Sequence, residues 1–164
     1  AEKEGYMQGR AQVLDSSDVD VKLSKLKILK MDVVRHKLVS GQVQAAEPLA
    51  QNMVALVSMM NLDDPSADAI YEQYPDADAT IALVDSRANY DIEIHLYDTV
   101  DNIIIGGYQR TWSVADADIS GKLGLVFHAI EYIPKPLNEE DQFKLITYLQ
   151  DNAAYKEALK PRFE

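Results

Sequence analysis

Apolar and polar residues alternate strictly through Asn89–Tyr97, where Tyr90, Ile92, Ile94 and Leu96 are interleaved with Asp91, Glu93 and His95. A period of two predicts a strand with one face buried and the other wet. Ile81–Val84 is a shorter apolar stretch closed by Asp85, Ser86 and Asn89, and Ile103–Trp112 resumes the β pattern after the turn-forming run Asp98–Asn102. Gly106 and Gly107 inside that last stretch allow a bulge or strong coiling. Together the three segments predict an antiparallel meander over residues 80–114.

Elsewhere the pattern is less regular. Val21–Val34 satisfies the periods of both helix and strand. The strand is favoured, because Val21/Leu23 and Leu26/Ile28 alternate, with Lys22, Lys25, Lys27 and Lys30 lining a solvated face or guarding an edge. Gly5–Leu14 has the mixture expected of an opening strand. Four helices are predicted. Glu47–Met60 carries Pro48 in its first turn and Leu49, Met53, Leu56, Val57 and Met60 on one stripe. Its methionines, with Met59, read as core packing in preference to a soft-metal site. A short helix runs from Asp64-Pro65 to Tyr74, with Ile70, Tyr71 and Tyr74 facing inward. A third spans Ser120–Ile133 and is ended by Pro134 and Pro136. The last opens at Asn138 with three acids near its positive end, and Ala153–Leu159 adds a final helical piece. The expectation is a single α+β domain over residues 1–164, with a mostly antiparallel sheet and helices packed mainly on one face.

Charge narrows the partners. The formal net charge is -11, and it is uneven: residues 1–50 carry eight Lys/Arg against seven Asp/Glu, whereas residues 51–164 carry eight against twenty. Such a surface disfavours nucleic acid and anionic membrane as main partners and leaves a basic protein partner open. There is no twenty-residue apolar run and hence no direct membrane span. The absence of cysteine removes disulfides, thiolate catalysis and Cys-based zinc sites. The opening Ala-Glu-Lys-Glu fits a chain whose signal peptide has been cleaved, so a periplasmic or otherwise exported location is expected.

Candidate chemistry is sparse. The three histidines, His36, His95 and His128, form no recognised metal motif, and no phosphate-binding or nucleophile-elbow sequence occurs. Asp91, Glu93 and His95 project from one strand face and could hold a hard cation or a general base. The same three residues are also what a wet strand face contains. Asp116 and Asp118 read as helix-start caps in preference to an acid/base pair, and His128 reads as a packed or boundary residue. Tyr90, Tyr97, Tyr108 and Trp112 concentrate around the meander and form the candidate binding surface, since tyrosine and tryptophan anchor interfaces. No cofactor is expected.

Several of these segments also carry a family resemblance. The succession Tyr74-Pro-Asp-Ala-Asp-Ala-Thr-Ile-Ala-Leu-Val84, Asn89–Thr99 with its Leu96-Tyr97-Asp98-Thr99 ending, Ile104–Val114 and Ser120–Ile133 resembles the N-terminal α/β domain of TolB and related Gram-negative envelope proteins. The resemblance implies a non-enzymatic envelope domain that docks other proteins. No propeller follows in this sequence and Val21–Val34 has no counterpart, so no family functional residue is carried over. The functional expectation is therefore a cell-envelope interaction or assembly module that docks a protein through the meander, with self-association through a sheet edge as a further option. The alternative is a small metal-dependent hydrolase using carboxylates and His95.

Overall fold

The computed structural model describes residues 24–164 apart from 65, 133, 134, 136, 137 and 152–156. The opening strand expected within Gly5–Leu14 lies outside the described residues. The first described strand, β1, spans Leu26–Val39. Its alternation places Leu29, Met31 and Val33 in the core, while Ile28 and Lys30 face out. Ser40 and Gly41, both at positive φ, turn the chain straight into β2 (Gln42–Pro48), as a two-residue hairpin requires.

Seven further strands follow: β3 (Met53–Asn61), β4 (Ile70–Tyr74), β5 (Thr80–Val84), β6 (Ala88–Asp98), β7 (Ile103–Val114), β8 (Gly124–Tyr132) and β9 (Arg162–Phe163). The sheet order is β2-β1-β8-β7-β6-β3-β4, with β5 also paired to β1 and β9 to β8. All pairings are antiparallel except β1 with β8. This mixed sheet curls into a half-barrel around a core that includes Leu29, Met59, Ile81, Tyr90, Ile94, Ile105 and Phe127.

Two close approaches hold the curl. A Cβ on Gly106 would stand 1.8 Å from the Ile130 carbonyl oxygen, and one on Gly107 would stand 2.1 Å from that of Ile94. Only glycine lets β7 pass this tightly between β6 and β8. The register slips beside them, where Leu96 faces Gly106 but Tyr97 faces Ile104, so the strong coiling anticipated at the two glycines coincides with a bulge.

The α+β expectation is overturned. The fold is mostly strand, and the helices whose bounds lie among the described residues are the single turn α1 (Asp116–Ile119) and α2 (Glu139–Asp151), which packs against β7. Of the four predicted helices, the one opening at Asn138 forms. Its expected extension over Ala153–Leu159 falls mainly outside the described residues, with Glu157 and Ala158 helical and Leu159 buried.

Glu47–Met60 is instead the end of β2, a turn and most of β3. Met53, Ala55, Val57 and Met59 are all buried, the period of a strand, while Leu56 and Met60 are apolar on the wet face and so mimic a helical stripe. Pro48 ends β2 in place of opening a helix. Ile70–Tyr74 is β4, and Ser120–Ile133 contains β8. That strand is buried on both faces and parallel to β1, so its near-continuous apolar run carries no alternation to read. The meander is corrected as well. β6 and β7 pair as expected, but β5 pairs with β1, and β6 has β3 as its other neighbour.

A consequence of that topology is a seam. β4 and β5 are consecutive in the chain yet, among the described residues, β4 pairs with β3 alone and β5 with β1 alone. Near their connecting turn, β1 bonds to both sides of the seam. There the Met31 amide donates to Ala79 at 2.9 Å, and the Tyr74 phenol bonds to Asp32, which pushes its pKa up to about 12.

Candidate functional site: an acidic, apolar groove

The outer face of β4, β3 and β6 follows from their register. Opposed residues share a face, so Ser58 lies beside Tyr71 and Glu93, and Leu56 beside Gln73 and His95. These residues line a groove of about 410 Å³, which Val57 and Glu72, opposed to each other in the alternate, inward-facing set, also border. Its apolar elements are unusually open: Tyr71 is 76% exposed and Leu56 45%, and Met60 extends the same row at 46%. Burying such area on a partner is the favourable term that water leaves unused here.

The electrostatics have one sign. β3, β4 and β6 contain no lysine or arginine, and neither does any position from 38 to 86. Glu93 lies on the groove face, Glu72 borders it from the alternate set, and Asp91 continues the β6 row opposite Met60. Asp63, in the loop after β3, accepts bonds from the Asn89 backbone and side-chain amides at 2.7 and 3.0 Å, which lower its pKa and pin that loop against the start of β6.

The expected site residues separate. Tyr90, Tyr108 and Trp112 are 2–3% exposed and pack inside the half-barrel. The Tyr90 hydroxyl accepts the Val84 amide at 2.9 Å, and Trp112 stands 5.3 Å from the Phe163 ring. A partner can reach none of these three without opening the core. Tyr97 is half-buried on the outer face, its hydroxyl bonded to Asn102.

Asp91, Glu93 and His95 do share the outer face of β6, and Glu93 meets His95 at 3.1 Å. Among the described residues, no group of three His, Asp or Glu side chains is arranged to hold a metal ion. Asp116 accepts the Arg87 amide at 2.5 Å and Asp118 the Ala115 amide at 3.1 Å, so both carboxylates are engaged by backbone. Leu56 and Tyr71 were assigned to the inner sides of helices. The signal that points to them is the stretch without cations, combined with the alternation of Met53, Ala55, Val57 and Met59.

Three buried polar clusters lie away from the groove. Arg35 bridges Glu131 and Glu47 and donates to the Pro48 carbonyl at 3.0 Å, tying β2 to β1 and β8. Asp98, fully buried, receives the Val100 amide and the Lys135 ammonium. That cation holds its pKa down at about 2.

The third is a pair of imidazoles. His36 Nδ1 is 2.9 Å from the Gln44 carbonyl, and its Nε2 is 2.9 Å from His128 Nδ1. Facing a carbonyl, His36 Nδ1 must carry the proton, so in the neutral pair His36 Nε2 accepts and His128 Nδ1 donates. His128 Nε2 is then left as a bare, buried acceptor with no partner among the described residues.

Comparison with protein-family models, with curated proteins and with solved structures returns no match. Fold and groove define a class of their own description: a curled, mixed β-sheet domain with an unpaired strand edge beside an acidic, apolar groove.

Proposed function

We propose that this chain is a protein-docking module whose β4–β3–β6 face receives a basic, apolar segment of another protein. The observation that carries this is Tyr71 and Leu56, both open to solvent, on one face with Glu93 and Asp91 on strands that hold no lysine or arginine. Exposed aromatic and aliphatic side chains supply the buried area, and the carboxylates select the sign of the partner and speed its approach. The docking expected of the meander is retained through β6, which forms one wall of the groove. The reading is independent of compartment.

A fluorescein-labelled peptide of alternating lysine and valine tests it by anisotropy, against a glutamate–valine peptide of equal length. The lysine peptide binds, and it binds more weakly as salt is raised. Tyr71→Ser or Leu56→Ser weakens it about tenfold, the loss expected for truncating an interface anchor worth about 1.4 kcal/mol. Equal binding of both peptides, or none, removes the proposal.

A further inference from the structure

Resting on that reading, we infer that the partner segment docks as an added β-strand, hydrogen-bonded along the unpaired edge of β4. In an antiparallel pair, alternate residues direct both N–H and C=O toward the neighbouring strand, and the residues between direct theirs away. β4 has β3 on one side and, among the described residues, no strand on the other. One alternate set of its backbone groups, either Ile70, Glu72 and Tyr74 or Tyr71 and Gln73, is therefore aimed into the seam between β4 and β5. Edges of this kind template the addition of an extended chain.

The other open edge of the sheet is blunted. The pairing of β2 with β1 slips register between His36 and Leu38 of β1, and β2 ends at Pro48 and carries Glu47, which is bound by the β1 cations Arg35 and Lys37. β4 has neither bulge nor proline within it. The segments that flank it in the chain are acidic: Asp63, Asp64 and Asp68 precede it and Asp76 and Asp78 follow, with no lysine or arginine from 38 to 86. Charge complementarity thus fixes the occupant as a basic extended segment. A chain laid along β4 also sets alternate side chains beside Tyr71 and Gln73 on the groove face, so edge and groove are read by one strand.

The test is backbone amide hydrogen exchange on the whole protein, with and without saturating lysine–valine peptide. Addition of a strand slows one alternate set of β4 amides at least tenfold and leaves the β2 amides unchanged. If the peptide binds, and Tyr71→Ser weakens it, while no β4 amide slows, strand addition is overturned and groove docking stands. If the peptide does not bind, both readings fall. If β4 protection rises with protein concentration in the absence of peptide, the occupant is a second copy of this chain and the basic partner is wrong.

Discussion

Protonating His128 should destabilise this protein from mildly acidic pH downward. The ring is 6% exposed, and burial first, then His36 and Arg162, pushes its pKa down from 6.5 to about 4. The unfolded chain therefore binds a proton near pH 6.5 that the folded chain refuses until about pH 4. Stability is complete above the unfolded value and is lost as pH falls between the two, at up to about 1.4 kcal/mol per pH unit. The full interval is worth about 3 kcal/mol, an upper limit because neighbouring groups relax, and still a large share of the 5–15 kcal/mol typical of a domain. Urea unfolding midpoints from pH 7.5 to 5 read the effect above the range where carboxylates titrate. Asn at 128 keeps an amide donor near the position of Nδ1 and cannot ionise. His128→Asn should lower stability at pH 7.5 and flatten the slope between pH 6.5 and 5. A wild-type midpoint that is constant over that window, or a variant with the wild-type slope, refutes the reasoning.

Other outcomes follow from the buried clusters and the glycines. Arg35→Met leaves Glu131 without its closest cation in a site where both side chains are about 90% covered, and should cost about 3 kcal/mol by chemical denaturation; adding Glu131→Leu should recover most of it. Gly106→Ala forces the Ile130 carbonyl away and should destabilise by about 3 kcal/mol, read as a drop in melting temperature. Asp98→Asn should cost about 1 kcal/mol at neutral pH, discounted because Lys135 is 43% exposed. Because the Asp98 pKa is depressed, that cost is present above about pH 4 and disappears as pH falls toward 2, measurable as converging midpoints of the two proteins.

Strands with one wet, polar face were legible. β6 alternates over its whole length, and β7 carries its glycines where the sheet coils most, so both elements and their pairing could be read from residue types alone. β1 was legible only in part: Lys30 marks an outward position, whereas Lys27, at the parity of buried Leu29 and Met31, is half-buried and donates to the Ile119 carbonyl. The neighbours were not legible. Nothing local to Thr80–Val84 says that it pairs with β1, far earlier in the chain, in place of the β6 strand that follows. β8 hides its period because neighbours cover both its faces, and a continuous apolar run fits a buried helix equally well. The aromatic residues misled through size: Tyr90, Tyr108 and Trp112 fill the half-barrel, where their bulk serves better than at its surface.

The misreading of β3 has the most to say about function. A strand is recognised when the face turned to water is polar, and β3 breaks that rule with Val54, Leu56 and Met60. Leaving Leu56 and Met60 about half exposed keeps apolar area in water that polar residues at those positions would not. Local rules fail most often where a site needs something the fold alone does not. β4 breaks a second rule beside it, presenting Tyr71 on an unblunted edge where a lysine or proline would guard against strange strands. Two departures on adjacent strands, both within a stretch empty of cations, are hard to assign to folding. They share one cause if the surface that is left unfinished in the free protein is completed by a basic strand from a partner.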